Sequence, residues 1–257
     1  MPDRKRVALV TGAARGIGEA TAVGFSQAGY QVVGVDQIEQ VGASGLKTAI
    51  AREGLVYAKC DVGDERQVER LVGQIVDQFE TIDVLVNNAG VVLTKPLTET
   101  DLDDFERIFG VNVGGPFLMC KHVVPVMRRN RRGSIVNLAS VSAYVGSVNN
   151  VLYCASKGAV LAFTKALAVE LAQDGIRVNS ISPGYIDTPM LRDDLAAQSR
   201  LTGLALEEIV KREEGGQLFK RFASPTEVAE AIFFLANDGA SFITGADLLV
   251  DCGWVAR

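Results

Sequence analysis

The chain has 257 residues, of which 48% are hydrophobic and 22% are charged, and its formal net charge is -5 with a pI near 5.1. This composition is that of a folded globular chain with a substantial core, and it argues against intrinsic disorder. The acidic balance argues against a protein that binds nucleic acid or anionic membranes over a broad surface.

The distribution of metal-ligating and sulfur-containing residues predicts neither a metal site nor a disulfide framework. Four cysteines and one histidine lie far apart in the sequence: Cys60, Cys120, Cys154, Cys252 and His122. No Cys-x-x-Cys pair is present. The first apolar run is too short for a secretory signal, and no run approaches the roughly 20 apolar residues of a membrane span. We therefore expect a protein of the reducing cytoplasm, with no membrane or nucleic-acid partner.

Short β-branched runs alternate with longer patterns of helical periodicity. The runs cover residues 7–10, 31–35, 56–58, 84–86, 134–138, 177–181 and 248–250. Their continuous apolarity predicts strands buried on both faces, and the intervening helical patterns predict parallel crossovers. We expect one α/β domain over residues 1–257, a doubly wound sheet of about seven parallel strands with helices on both faces.

A glycine-rich turn follows the first strand. It runs from Thr11 to Gly18 with glycines at Gly12, Gly16 and Gly18, around Arg15 and Ile17, and a helical pattern begins directly after it. Glycines let the backbone approach a pyrophosphate closely, and the helix N-terminus offers free N–H groups and partial positive charge. The turn predicts a dinucleotide cradle, although a glycine-rich turn alone is a weak signal.

Polar residues at the ends of the next strands fall along the same edge of the sheet. Asp36 ends the second strand, where a carboxylate can accept hydrogen bonds from both ribose hydroxyls and would repel a 2′-phosphate. Asp36 therefore favours NAD as the cofactor. NADP stays an alternative, because Arg15 could bind its 2′-phosphate. Asp61 and Val62 follow the third strand, and Asp61 is a candidate for the adenine amino group. Asn87, Asn88, Ala89 and Gly90 follow the fourth. Alternatively, Asp61 caps a helix and the two asparagines form a turn.

Tyr153 and Lys157 stand four residues apart at the start of a long apolar helical pattern. In a helix this spacing places both side chains on one face, where they can meet around a third group. The same pair could be only a helix surface, and the spacing alone does not decide. Beyond it, residues 189–217 are polar and mixed in charge, which predicts a substrate lid or, alternatively, a solvated helical excursion.

Taken in order, these motifs resemble the short-chain dehydrogenase/reductase family in its compact form of about 250 residues. The set comprises Thr11 to Gly18, Asn87 to Gly90, Asn112, Ser140, Tyr153 to Lys157, and Pro183 with Gly184. The resemblance covers essentially the whole chain and implies a Rossmann-type fold. One departure is Cys252, where many relatives carry glycine, which leaves the packing near the C-terminus in doubt.

The resemblance implies a catalytic set of Asn112, Ser140, Tyr153 and Lys157. Tyr153 would exchange the proton of a secondary alcohol while hydride passes to or from the nicotinamide. A phenol titrates near pH 10, so Lys157, together with the charge of oxidised nicotinamide, would lower its pKa. Lys157 would also hold the nicotinamide ribose. Ser140 would donate a hydrogen bond to the substrate oxygen, and Asn112 would bend its helix and hold a water for Lys157.

Further positions follow from the same resemblance. Pro183, Gly184, Ile186 and Thr188 would hold the carboxamide, with Thr188 alternatively capping the next helix. The substrate would contact Ser140, Tyr153 and residues from the following set: Ser142, Tyr144, Asn149, Asn150, Tyr185 and the segment 189–217. These asparagines and serines suit a sugar, a polyol or another hydroxylated small molecule.

The function expected from the sequence is an NAD-dependent oxidoreductase that interconverts a secondary alcohol and a ketone. A 3-oxoacyl-[acyl-carrier-protein] reductase is the alternative within the family, and a non-catalytic dinucleotide-binding sensor or scaffold is the alternative outside it. The resemblance also implies a homotetramer assembled through the helices that contain Asn112 and Tyr153. No metal is expected.

Overall fold

The computed structural model describes residues 4–38 and 55–256. Its strands are β1 (Val7–Thr11), β2 (Gln31–Asp36), β3 (Leu55–Lys59), β4 (Val84–Asn87), β5 (Gly133–Leu138), β6 (Ile176–Pro183) and β7 (Asp247–Val250). They form one seven-stranded sheet in the order β3-β2-β1-β4-β5-β6-β7, and every neighbouring pair is parallel. The predicted sheet is confirmed, while the connection between β2 and β3 lies outside the described residues.

Helices cover both faces of the sheet. The helices are α1 (Gly16–Gln27), α2 (Glu65–Phe79), α3 (Leu102–Phe109), α4 (Gly115–Asn130), α5 (Val151–Leu171), α6 (Pro189–Thr202), α7 (Leu206–Gly216) and α8 (Pro225–Ala236). Apolar residues of α2, α4 and α5 pack against one face, and those of α1 and α8 against the other. Alternate residues of β1 enter opposite clusters, Leu9 one and Ala8 the other, as the period of a strand requires.

The order of the strands determines where a ligand can bind. The chain runs outward from β1 to β3 and then returns to place β4 on the other side of β1. Helices leave opposite faces on the two sides of this reversal, so a crevice opens outside the carboxyl ends of β1 and β4. The turns after β1, β4, β5 and β6 all lie at this edge.

The segment that was expected to form a lid consists of α6 and α7, which leave and rejoin the sheet edge at nearly the same place. Ile186 and Ala223 form an isolated parallel bridge. The Asp187 N–H donates to the Ala223 carbonyl at 2.8 Å, and the Ala223 N–H donates to the Tyr185 carbonyl at 3.0 Å. These bonds tie the beginning and the end of the two-helix segment together.

Helix α5 is long and apolar, as its sequence pattern predicts. Together with the turn that follows it, it spans 24 residues, Val151–Asp174, with a mean hydropathy of 1.3, long and apolar enough to cross a membrane. In this fold its inner face packs against the sheet through Ala168 and Leu171. Ser156, Lys157, Thr164 and Lys165 interrupt the apolar run, so it stays short of the roughly 20 consecutive apolar residues of a membrane span.

Candidate active site

The glycine-rich turn after β1 has the geometry that its sequence predicts. Gly12 and Gly16 have φ values of 66° and 61°, a region that favours glycine. A Cβ placed on Gly18 would lie 2.1 Å from the Gly12 carbonyl oxygen. Asn88 holds the turn from the end of β4, since its Nδ2 donates to the Thr11 carbonyl at 2.9 Å and to the Gly12 carbonyl at 3.1 Å.

The N-terminus of α1 is open toward a ligand. Its N-cap residue, Arg15, makes no side-chain capping hydrogen bond, so the helix keeps unsatisfied N–H groups and partial positive charge. A cavity of about 180 Å³ lies against this turn. The predicted cofactor residues that line it are Gly12, Arg15, Gly16, Ile17, Asp36, Asp61, Val62, Asn88, Ala89, Gly90 and Thr188. A glycine cradle with open N–H groups and a nearby carboxylate fits a nicotinamide dinucleotide.

Two carboxylates stand at the far side of this cavity. Asp36 Oδ2 accepts from the Ala14 N–H at 3.1 Å, which fixes the carboxylate beside the turn. Asp61 Oδ1 accepts from the Gly63 N–H at 2.9 Å. The helix-capping alternative for Asp61 is wrong, because Asp64 caps α2 by accepting from the Arg66 and Gln67 N–H groups. Asp61 therefore keeps accepting capacity on the cavity side.

The asparagine pair after β4 is not a simple turn. Asn87 is the last residue of β4 and is buried, and its Nδ2 donates to Asn137 Oδ1 of β5 at 2.8 Å. Asn137 in turn donates to Thr164 of α5 at 2.9 Å. A hydrogen-bonded chain thus joins β4, β5 and α5, the elements that precede or carry the proposed catalytic residues.

A second, larger cavity of about 700 Å³ contains the proposed catalytic side chains and shares Ile17, Asn88, Gly90 and Thr188 with the smaller one. Ser140, Tyr153 and Lys157 all line it. The Ser140 hydroxyl lies near enough to the Tyr153 phenol to lower its pKa. Lys157 Nζ donates to the Leu138 carbonyl at 2.6 Å and lies 5.7 Å from the centre of the Tyr153 ring. The structure thus brings these three side chains together.

Burial has the largest effect on the pKa of Tyr153 in the protein alone. Although Tyr153 is partly exposed to the cavity, burial of its phenol raises its pKa to about 12, against the opposing effect of the Ser140 hydroxyl. The charge of Asp194 raises it further. Burial also lowers the pKa of Lys157 to about 8. In the protein alone, desolvation of the phenol outweighs the effect of the Ser140 hydroxyl, and the acidification of Tyr153 by Lys157 together with bound nicotinamide stays a prediction.

Asn112 lies in a π-helical turn, Gly110–Gly114, which joins α3 to α4. Its buried amide accepts from the Val91 N–H at 2.8 Å and donates to the Val91 carbonyl at 2.9 Å and to Ser156 Oγ at 3.0 Å. The widened turn matches the expected helix distortion. The amide ties α5 to the loop that follows β4, whereas its role in holding a water for Lys157 stays a prediction.

The turn after β6 lines the larger cavity, and its residue Thr188 lines both cavities. Pro183, Gly184, Ile186 and Thr188 all line the larger cavity. Thr188 also caps α6, since its Oγ1 accepts from the Leu191 N–H at 3.2 Å. The capping interpretation of Thr188 is therefore correct, and the carboxamide role remains open to the same side chain.

Most of the predicted substrate residues line the larger cavity. These are Ser142, Asn149, Asn150 and Tyr185. The side-chain oxygen of Asn150 is buried and has no hydrogen-bond partner within the described part of the chain. Tyr144 was predicted wrongly, because its hydroxyl donates to Asp247 Oδ2 of β7 at 2.9 Å and its side chain is not part of the cavity wall.

Several cavity residues could not be singled out from the sequence. They are Met190, Asp194, Gln198, Arg212 and Glu213 of the two-helix segment, and Trp254 near the C-terminus. The Trp254 ring lies edge-on to Tyr185 with 5.3 Å between centres. The mixed charge of residues 189–217 predicted that the segment as a whole contacts substrate, but it did not indicate which side chains do so. No local pattern indicated that Trp254 lines the cavity.

Comparisons with known proteins agree with this geometry. The chain matches the family model described as "Enoyl-(Acyl carrier protein) reductase" over residues 12–255. It is 41% identical to cis-4-hydroxycyclohexanecarboxylate dehydrogenase of Sinomonas cyclohexanicum, covering 98% of this chain and 97% of the relative. It is 38% identical to the 3-oxoacyl-[acyl-carrier-protein] reductase FabG of Thermotoga maritima, covering 97% and 98%.

Solved structures give the same result. The ligand-free aldohexose dehydrogenase of Thermoplasma acidophilum is 34% identical, with a TM-score of 0.89 over 99% of this chain and 95% of that one. ElxO with NADP bound is 31% identical, with a TM-score of 0.86 over 99% and 100%. The chain belongs to the short-chain dehydrogenase/reductase family. It is an oxidoreductase of the class that uses a nicotinamide dinucleotide.

Proposed function

We propose that the protein is an NAD-dependent dehydrogenase of secondary alcohols in small hydroxylated molecules, such as sugars or polyols, and that it also reduces the corresponding ketones. The observation that carries this proposal is the group of Ser140, Tyr153 and Lys157 in a cavity continuous with the dinucleotide cradle. A phenol, a hydroxyl and an ammonium in that place suit proton exchange with an alcohol beside a hydride acceptor.

The chemistry is divided between cofactor and protein. A bound nicotinamide supplies the hydride acceptor or donor. Ser140 Oγ and the Tyr153 hydroxyl, which line the same cavity, together hold the substrate oxygen. Tyr153 accepts the alcohol proton during oxidation and returns it during reduction. Lys157, anchored on the Leu138 carbonyl, places positive charge beside the Tyr153 ring and favours its ionised form.

The preference for NAD is inferred from Asp36. Its carboxylate is fixed beside the glycine turn by the Ala14 N–H, where ribose hydroxyls would donate to it and a 2′-phosphate would be repelled. NADP is the alternative, supported by the exposed Arg15 on the same cavity and by the NADP-bound relative. Initial rates with both cofactors decide between them.

The polar lining of the larger cavity supports a hydroxylated substrate, and so does the likeness to an aldohexose dehydrogenase. An acyl-carrier-protein substrate is the alternative, supported by the family description and by the FabG relative. Such a partner is acidic and would require a basic entrance. The segment 189–217 instead contains six acidic and four basic residues, which disfavours that partner.

A non-catalytic sensor would need the cradle but not the catalytic side chains. Asn112, Ser140, Tyr153 and Lys157 are all present and stand in contact with one another or share neighbours. Burial of the Lys157 ammonium costs free energy, and a catalytic role explains why a lysine is kept there better than cofactor binding alone does. Turnover is therefore favoured over binding alone.

The test is a panel of sugars, polyols, hydroxyacids and acyl ketones assayed at 340 nm with NAD(H) and NADP(H), for the wild type and for Tyr153→Phe. We expect turnover of a hydroxylated substrate with NAD, and a loss of about 10² to 10⁴ in kcat for the variant. NADH affinity, measured by fluorescence, should be preserved. Undiminished turnover by a folded Tyr153→Phe protein would refute the mechanism.

We further propose a homotetramer in the cytoplasm. Apolar side chains of α4 and α5 are exposed in the single chain, notably Phe117 at 51% and Val169 at 80%, and their burial against another copy would explain the apolar length of α5. All four cysteines are free, which suits a reducing compartment. Light scattering of the wild type and of Val169→Glu tests the assembly, since the charge should dissociate contacts through α5.

A further inference from the structure

A continuous chain of hydrogen-bonded polar side chains runs along the wall of the larger cavity, which Tyr153 also lines. Thr94 donates to Asp194, and Gln198 Nε2 donates to the other oxygen of Asp194 at 2.9 Å. Arg212 then donates to Gln198 Oε1 at 3.1 Å and to Glu213 Oε1 at 2.8 Å. These contacts thus link the segment that follows β4, which contains Thr94, to α6 and α7.

The two carboxylates in this chain differ in their partners. Glu213 is nearly buried and is neutralised by Arg212, which contacts Oε1 through both Nε and Nη2. Asp194 has only the neutral Thr94 and Gln198 as hydrogen-bond donors, and no cation lies within 4 Å of it in the described ranges. Asp194 therefore carries an uncompensated negative charge on the cavity wall.

This charge lies on the same cavity as the reacting group, since Asp194 and Tyr153 both line it. The carboxylate of Asp194 is near enough to Tyr153 to raise the pKa of its phenol. A carboxylate has about four sites that accept hydrogen bonds, of which two are occupied here. Asp194 can therefore accept one more hydrogen bond from a molecule whose reacting oxygen lies on Ser140 and Tyr153.

We propose that Asp194 is a specificity-determining residue that accepts a hydrogen bond from a second hydroxyl of a neutral diol or polyol substrate. The inference rests on the proposed function and narrows its substrate class. A hydroxyl donates to the carboxylate and replaces its lost hydration, whereas a carboxylated substrate is repelled and a monohydric alcohol leaves it unpaired. Sites built to bind a hydroxyl reject analogues that lack it.

The isosteric variant Asp194→Asn tests the charge while keeping the local contacts. Asparagine can still accept from Gln198 through its oxygen and can donate to the Thr94 hydroxyl, which rotates to accept. Asp193→Asn is the matched control, because Asp193 lies next to it on α6, is exposed and does not line the cavity. NADH affinity and melting temperature establish that each variant is folded.

The probes are cyclohexanol, the cyclohexanediols and the hydroxycyclohexanecarboxylates, which share one ring and differ in the second group. We expect the wild type to prefer a diol over cyclohexanol in kcat/KM by about tenfold to hundredfold. Asp194→Asn should erase most of that preference and relax the rejection of the carboxylates, whereas Asp193→Asn should change neither ratio.

The outcomes separate this inference from the proposed function. An unchanged diol preference in Asp194→Asn, or a wild type without such a preference, overturns the role of Asp194 and leaves a secondary alcohol dehydrogenase. Turnover of acyl ketones to the exclusion of all ring alcohols also overturns it. Absence of any turnover with the whole panel, despite NADH binding, refutes the proposed function itself.

Discussion

The cradle and the two-helix segment bind their ligands by different physical means. The cradle is made of backbone, with Gly12, Gly16 and Gly18 packed so closely that a single methyl group does not fit at Gly18. The wall formed by α6 and α7 is made of side chains that touch end to end, from Asp194 to Glu213. The cradle therefore tolerates no added side-chain atoms. In the wall formed by α6 and α7, side chains can be exchanged while the backbone stays in place.

The largest expected effect is that of Gly18→Ala. Its Cβ would meet the Gly12 carbonyl oxygen at 2.1 Å and Asn88 Nδ2 at 2.4 Å, so the turn must open. NADH affinity should fall by more than about a hundredfold, or about 2.7 kcal/mol. Gly24→Ala on the same helix is the control, because nothing lies within 4 Å of its added Cβ. Equal NADH affinities of the two variants would disprove the steric argument.

A smaller effect is expected from Asp36→Asn, which changes charge rather than shape. The asparagine oxygen can still accept from the Ala14 N–H, so the turn is preserved. Loss of a charged acceptor for the ribose should reduce kcat/KM with NAD by about tenfold to hundredfold. The ratio of NADP to NAD activity should rise. A wild type that already prefers NADP would contradict the assignment.

In the wall formed by α6 and α7, Arg212→Met should weaken substrate binding without disturbing the cradle. It removes the contacts of Arg212 with Gln198 and Glu213. We expect KM for the alcohol to rise by up to about tenfold, equivalent to about 1.4 kcal/mol. NADH affinity should stay the same. Arg200→Met, an exposed change on α6, serves as the control, and a shift in NADH affinity would show that the two regions are coupled.

The smallest expected effect is a change in the free energy of unfolding with pH. It comes from Lys157, which lies between the two regions. Its pKa is lowered to about 8 by burial, whereas in the unfolded chain it titrates near 10.4. The unfolded state therefore binds more protons between these values, and stability rises with pH. From pH 8 to 9 the gain should be about 1 kcal/mol.

Denaturant unfolding at pH 8 and at pH 9 measures this gain in the free energy of unfolding. The contribution of Lys157 is the gain of the wild type minus the gain of Lys157→Met. Subtracting the variant removes the opposing contributions of Cys60 and Cys120, whose thiol pKa values are raised by burial. The same gain in both proteins would show that Lys157 titrates as an exposed lysine.

The sheet was predictable because its signal is local. Seven apolar runs identified all seven strands. The expected burial on both faces holds for the five inner strands, whereas the edge strands β3 and β7 are partly exposed because each has a neighbouring strand on one side only. The cradle was predictable for a similar reason: glycine spacing reports backbone geometry directly. Tyr153 and Lys157 share a helix, so their separation in sequence gives their separation in space.

The substrate side was less predictable because its contacts join distant segments. Trp254 reaches Tyr185 across about 70 residues of sequence, and nothing adjacent to either residue indicates the contact. Tyr144 was misplaced since Asp247, on the last strand, binds its hydroxyl. Cys252 has a φ of 52°, which explains why glycine suits this position, and its Sγ accepts from the Phe219 N–H at 3.1 Å.

The bridge between Ile186 and Ala223 has an evolutionary consequence. A stretch of chain that departs and returns through one fixed stem can be lengthened, shortened or exchanged as a cassette, because the entropy of loop closure grows only slowly with length. Relatives could therefore acquire new substrates by replacing the residues between these two anchors, while inheriting the hydride-transfer apparatus unaltered.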